Sequence, residues 1–251
     1  MRRTLLFFLI VLGTATVLEA ETYLIPIWSN GVVGSDAVWY ARVTVSNPNA
    51  FPVVLRPTRA FPLDTEPCGS CRAEEREISL PPFSSAQVLP PVPQDGVRMT
   101  IGAFELQSDH PVSVSVVAIG KGEREIRQRL QVGRRWLGSG TYSVSDVQRS
   151  PVGWRMNVFV VNPGTHDLLV SVWTGPRMYN EVRAAIPAGR TALIGLPPPS
   201  CGPVPCPPLP DIYPPLPTTV EIEASDAFFA SVSSVTSDWA VFSLPDVVGT
   251  E

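Results

Sequence analysis

Between residues 38 and 48 the chain alternates. Trp39, Ala41, Val43 and Val45 hold one set of positions and Tyr40, Arg42, Thr44 and Ser46 the other, a period of two that predicts a strand with one buried face. Asn47-Pro48-Asn49 then supplies turn chemistry. Ile126, Leu130 and Val132 alternate with Arg127, Arg129 and Gln131 in the same way, after a turn at Lys121-Gly122. Across the first half this patterning predicts strands near 23–28, 38–46, 52–60, 75–80, 85–89, 97–105, 112–119 and 124–132. No long segment keeps the 3.6-residue period of a helix. Short strands with turns every roughly eight to twelve residues indicate an all-β sandwich or barrel.

The pattern occurs twice. Trp39 to Pro48 is answered 115 positions later by Trp154 to Pro163, both runs ending in Asn-Pro. Leu80-Pro81 is answered by Ile186-Pro187 at a separation of 106, and Leu89-Pro90-Pro91 by Leu196-Pro197-Pro198 at 107. Val97-Arg98-Met99 is then matched to Val220-Glu221-Ile222 at 123, and Val112 to Ser115 to Ala230 to Ser233 at 118. Matches in the same order in both halves mark a tandem repeat. Each change of separation places an insertion: nine extra residues around Cys68 and Cys71 in the first copy, and sixteen around Cys201 and Cys206 in the second. The expected organisation is a leader over 1–20, one sandwich over 21–134 and a second over 135–251, with a proline-rich insertion at 197–217.

The leader reading rests on Arg2 and Arg3, an apolar run from Leu5 to Leu12 and a small residue at Ala20, which together make a secretory signal peptide. The run is shorter than the roughly 20 apolar residues that span a bilayer. An uncleaved anchor is the competing reading, because Leu18 and Glu19 fit a cleavage site poorly. The protein is therefore expected outside the cytoplasm, secreted or periplasmic, with no membrane span after cleavage. Removing residues 1–20 moves the formal net charge from −4 to −5, which argues against nucleic acid as a partner.

The run from a Trp-led strand into Asn-Pro, then Leu-Pro, then Ser-Asp resembles that of secreted bacterial proteins built from tandem immunoglobulin-like units. Trp39, Asn47-Pro48, Leu80-Pro81-Pro82 and Ser108-Asp109 carry the resemblance in the first copy. Trp154, Asn162-Pro163, Ile186-Pro187 and Ser225-Asp226 carry it in the second. It implies two tandem immunoglobulin-like β-sandwich domains after a signal peptide and an extracytoplasmic location, but no activity.

The candidate chemistry is sparse. Export favours disulfides within the two close pairs, Cys68 with Cys71 and Cys201 with Cys206. The rival readings are a redox dithiol at Cys68-Gly69-Ser70-Cys71, which lacks the helix N-terminus that would lower a thiol pKa, and a zinc site shared by all four. Residues 197–217 contain eleven prolines. Such a run suits docking to an aromatic groove or serves as a stiff connection, so Pro203, Pro205, Pro208 and Tyr213 are candidate partner-binding residues. Phe159 and Val161 replace the outward Thr44 and Ser46 of the first copy. They need a cover, which the other copy, the proline-rich loop or a second molecule could provide. Trp136, Trp173 and Trp239 could form a sugar-binding platform if exposed. His110 and His166 sit in turns without local metal-ligand companions, and Glu74, Glu75 and Glu77 are interspersed with Arg72 and Arg76. No catalytic constellation, metal site or cofactor signature is read. The leading expectation is a non-catalytic structural or protein-interaction module whose partner is a protein or glycan of the cell envelope. A carbohydrate-binding or adhesion module is the rival, and an enzyme with an unrecognised site the third reading.

Overall fold

The structure is a computed structural model that describes residues 20–28, 30–33, 38–65, 76–89, 101–121, 125–130, 132–149, 155–174, 177, 181–196, 216–235, 241–243 and 248–249. Most of these lie in antiparallel strands, and no regular helix is present among them, so the all-β expectation holds. The first half contributes β1 (Glu21–Trp28), β2 (Asn30–Val33), β3 (Val38–Ser46), β4 (Val53–Pro62), β5 (Ile78–Leu80), β6 (Ser85–Val88), β7 (Ile101–Ser108), β8 (Ser113–Lys121) and β9 (Glu125–Leu130). The second contributes β10 (Gly140–Arg149), β11 (Arg155–Val161), β12 (Leu168–Thr174), β13 (Val182–Ile186), β14 (Thr191–Leu196), β15 (Leu216–Ala224), β16 (Phe229–Val235), β17 (Val241–Ser243) and β18 (Val248–Gly249).

Four sheets result. In the first half, β1-β7-β4-β5 faces a sheet in which β3 pairs with β8, β8 with β9, and β2 and β6 share the other edge of β3. In the second, β10-β15-β12-β13 faces β14-β11-β16-β17, with β18 added beside β10. The two halves have the same strand order, with β2 and β18 lacking counterparts. Alternate residues of each facing pair meet in one apolar cluster. Ile25, Val43, Leu55, Phe104 and Val116 lie in the first, and Val144, Val158, Val170, Ile222 and Val232 in the second.

Strand pairing shows where sequence matching slipped. Val43 pairs with Val88 and Val158 with Ile194, which keeps the separations of 115 and 106. Val43 also pairs with Val116 and Val158 with Val232, and Leu55 with Ser108 as Val170 with Ala224. The last strands therefore correspond at 116, not at 123 or 118, and the second half carries ten extra residues before β15 rather than sixteen. The segment matched at 97–99 lies outside the described residues, and the strand expected at 97–105 continues to Ser108. β2 was not expected, and short Asn30-Gly31-Val32-Val33 offers too little alternation to reveal it.

One polar residue recurs inside both halves. Asn47 and Asn162 are each 2% exposed. The Asn162 amide donates to His166 O and Ile186 O, both at 2.8 Å, while its Oδ1 accepts from Gly164 N at 2.8 Å. Asn47 donates to Phe51 O at 2.8 Å and Leu80 O at 3.1 Å and accepts from Asn49 N at 2.9 Å. Each backbone amide also closes the turn before the following strand, Asn47 N on Ser84 O and Asn162 N on Arg190 O, both 2.8 Å. At the same end Asp109 Oδ1 accepts from Val54 N, and Ser225 Oγ from Leu169 N. Asp109 and Ser225 are thus the equivalent pair, one residue away from the alignment of the two Ser-Asp steps.

The halves meet through a third apolar cluster, in which Leu24, Phe61 and Ala103 pack on Phe159, Val161 and Phe229. The first half is therefore the cover of the strand that is apolar on both faces. Trp136 stacks edge-on against Phe61 at 5.6 Å between centroids. Thr191 Oγ1 donates to Phe61 O at 2.7 Å, and Arg59 reaches Pro163 O at 2.6 Å. The connecting segment is pinned at Leu24–Gly133 and Leu137–Phe228 by paired backbone hydrogen bonds. Gly133 is required there, because a Cβ would lie 2.6 Å from the Phe229 ring.

Pairing registers give the equivalents of five of these six positions. Thr44, Ser46 and Ser113 stand in the first half where Phe159, Val161 and Phe229 stand in the second, and Ser143 and Thr219 replace Leu24 and Ala103. The apolar side chains occur only where the halves touch, and full burial of each large one contributes about 1.5–3 kcal/mol.

Two stability outcomes follow. Asn162→Ala and Asn47→Ala strand buried carbonyls, and each will lower the free energy of unfolding by about 2–3 kcal/mol in urea titrations. Phe159→Asp will cost more than about 3 kcal/mol by burying an unpaired carboxylate, whereas Thr44→Asp at the matching, only half-buried position will stay within about 1 kcal/mol.

Candidate functional site

The tip of the first half is formed by three turns, at 47–52, 81–84 and 109–112. Asn47 and Asn49 tie them together: Asn47 Nδ2 donates to Pro81 O at 3.0 Å, Asn49 Nδ2 to Pro111 O at 2.9 Å, and Phe83 N to Asn49 O at 3.3 Å. On this platform Phe83 is 75% exposed and Phe51 44%. His110 stacks edge-on against Phe51, with 4.6 Å between centroids. Its Nδ1 is buried without a hydrogen-bond partner among the described residues. Pro48, Pro52, Pro81, Pro82 and Pro111 are exposed around the rings. Asp109 is the one acidic residue in the three turns, which contain no Lys or Arg.

Phe83 has φ 51°, the one non-glycine residue with positive φ among the described residues. The matching turn of the second half places Gly189 there, at φ 67°. Left-handed backbone costs a residue with a Cβ roughly 1–2 kcal/mol, and a bulky side chain is a true outlier in it. Packing does not repay that cost, because the ring faces solvent. An exposed aromatic held in strained backbone points to a use outside the fold. Sequence reasoning missed Phe83, although Pro-Pro-Phe-Ser set against Pro-Ala-Gly-Arg at a separation of 106 shows Phe where the other copy has Gly.

A second surface lies on the outer face of β12, β13 and β15, a shallow groove of about 530 Å³. Its charges are already satisfied. Glu181 lies 2.9 Å from both Arg177 and Arg183, and Arg177 also pairs with Glu223. Arg183, with help from Arg177 and Ser171, holds the Glu181 carboxyl down at about 2. The Arg177 guanidinium sits 4.4 Å over the Trp173 ring.

The residues named from the sequence fall in three groups. Phe159 and Val161 are fully buried by the first half, so these two candidate partner-binding residues are used up within the chain. Trp136 packs at the junction and Trp173 is 8% exposed beneath Arg177, so neither forms a sugar platform in this structure. Cys68, Cys71, Cys201, Cys206, Pro203, Pro205, Pro208, Tyr213, Trp239, Glu74, Glu75 and the leader over 1–19 lie outside the described residues. Glu77 is exposed and paired with Arg56 at 2.7 Å. Among the described residues no three His, Cys, Asp or Glu side chains cluster as metal ligands, and no helix is long and apolar enough to cross a membrane. Compared with family models, curated proteins and solved structures, the chain matches none.

Two substitutions measure the strain directly. Phe83→Gly relieves it and will leave the melting temperature unchanged or raise it, since Gly's extra unfolded-state entropy of about 0.4–1 kcal/mol only offsets the gain. Gly189→Ala introduces it and will cost about 1 kcal/mol in the same thermal scans, although space around Gly189 is open.

Proposed function

We propose that this chain is a non-catalytic interaction module working outside the cytoplasm, built from two tandem immunoglobulin-like sandwiches. The observation that carries the reading is the strained and exposed Phe83, standing with Phe51 on a rigid tip while the apolar patch of Phe159, Val161 and Phe229 is covered between the halves. Rigid aromatic anchors supply contact area at low entropic cost, the property of binding hot spots. The immunoglobulin comparison is supported by the inner strands: β3 beside β6, and β4 beside β7, correspond to the B–E and C–F neighbours of that sandwich. The outer strands depart from it, since β1 joins β7 and β8 joins β3, the reverse of the A and G positions.

The sugar-platform reading is weakened by the engagement of Trp136 and Trp173 within the fold. A photo-crosslinking residue at position 83, in the protein expressed in its own cell envelope, tests the interaction reading. A discrete adduct is expected there and none from the same probe at Thr44. Adducts equal at both positions, or at neither, would count against the tip as a binding surface.

A further inference from the structure

We propose that the Phe51–Phe83–His110 tip takes the proline-rich segment 197–215 of a second copy, linking molecules head to tail. The proposal rests on the interaction reading above and adds an occupant to it.

Chemistry selects the occupant. Two exposed aromatic rings on a neutral, proline-edged platform match the way Pro-rich peptides are recognised, through ring faces that accept pyrrolidine rings and need no charge. Residues 197–217 hold eleven prolines and a single charged residue, Asp211, with Leu209, Ile212 and Tyr213 among them. A proline run loses little conformational freedom on docking. The platform is fixed by Asn47 and Asn49, so its side of the contact is pre-organised.

Geometry excludes the chain's own segment. β4 leaves the tip at Val53 and reaches the junction at Pro62, where Leu63 forms a parallel bridge with Thr191 at the start of β14. β14 therefore continues away from the tip to Leu196, where the proline-rich segment begins. At about 3.3 Å per residue, the ten residues of β4 and six of β14 put roughly 50 Å between the two. The nineteen residues between β14 and β15 must go out and return, which limits their reach to about 30 Å even at the roughly 3.1 Å per residue of polyproline II. The tip and the strand end at Leu196 from which the segment departs are thus farther apart than the segment can reach. A contact between tip and segment is heterologous, and repeated addition gives open chains.

The molecule already uses such a tip once. The equivalent turns of the second half, at Pro163 and Thr191, dock on Arg59 and Phe61 of the first. The first-half tip carries Phe51 and Phe83 where the second has His166 and Gly189.

The test uses the exported full-length protein, sedimented over a wide concentration range, and a fluorescent peptide of residues 207–215, which contains no cysteine. Wild type is expected to associate with concentration and to bind the peptide. Phe83→Gly, which keeps the fold, is expected to weaken both about tenfold or more. A variant with Pro203, Pro205, Pro207 and Pro208 changed to Ser is expected to lose self-association but keep peptide binding. Mixing it with Phe83→Gly should give dimers and nothing longer, because each variant retains one complementary end. Wild type that stays monomeric and ignores the peptide overturns the proposal, as does association that survives in Phe83→Gly. If the peptide fails while the crosslinker at position 83 still gives its discrete adduct, the occupant is another protein and only the interaction reading stands.

Discussion

A buried asparagine amide organises each half of this molecule. Asn47 and Asn162 sit where one strand has ended and the next has not begun, so nearby carbonyls have left one ladder without entering another. Buried carbonyls without donors cost about 1–3 kcal/mol each, and a short planar side chain with two donors and one acceptor satisfies three groups at once. Because Asn162 reaches both His166 four residues on and Ile186 at the end of β13, it fixes a local turn and a distant strand end together. Proline after each asparagine holds the chain in the turn and has no N–H to satisfy. The first-half platform is a consequence: with Asn47 holding Phe51 O and Pro81 O, the bases of both exposed phenylalanines are set by one side chain.

The junction shows how one scaffold, used twice, can meet itself once and stop. Terminal units of a stacked array need polar outer faces, or the array continues. Here Phe159, Val161 and Phe229 face Leu24, Phe61 and Ala103, while the matching outward positions are Thr44, Ser46 and Ser113 at one end and Ser143 and Thr219 at the other. Ser46 Oγ lies 2.8 Å from Ser85 Oγ, so even the free face of the first half satisfies part of its polar surface internally. Sheet faces therefore build the two-part body and then become unreactive. Among the described residues the two most exposed aromatic rings, Phe51 and Phe83, lie in turns.

Strand content was legible because the strongest signals are local. Trp39 to Pro48 and Trp154 to Pro163 combine alternation with Asn-Pro, and the turn chemistry fixes the phase of the alternation. In the last strands that anchor is missing. Val112-Ser113-Val114-Ser115 and Ala230-Ser231-Val232-Ser233 look alike, yet period-two patterns are unchanged by a slip of two residues, and only pairing with β3 and β11 sets the true register. The Asp109 and Ser225 caps show the same limit: different side chains do one job, so identity of letters aligned the wrong neighbours. Phe159 and Val161 were legible as residues needing a cover, but which surface supplied it depended on outward positions of three separate strands. Phe83 was hidden for another reason, since a sequence carries no φ value and a phenylalanine between Pro82 and Ser84 looks like an ordinary loop residue.

The strain at Phe83 also explains why the exposed ring belongs to the turn and not to a strand. A phenylalanine placed outward on β3 or β8 would recreate the apolar face that joins the two halves and would compete for the same partner surface. In the left-handed turn position the ring instead projects beyond the sheets, where it cannot be mistaken for a continuation of the sandwich stack. The backbone cost of roughly 1–2 kcal/mol is modest against what a well-seated aromatic anchor returns on binding, about 2 kcal/mol or more. The second half, whose matching turn lies against the first half beside Thr191, has no use for such an anchor. Glycine at 189 leaves its turn unstrained, and on the proposed reading the difference between the twin turns is a division between assembly and recognition.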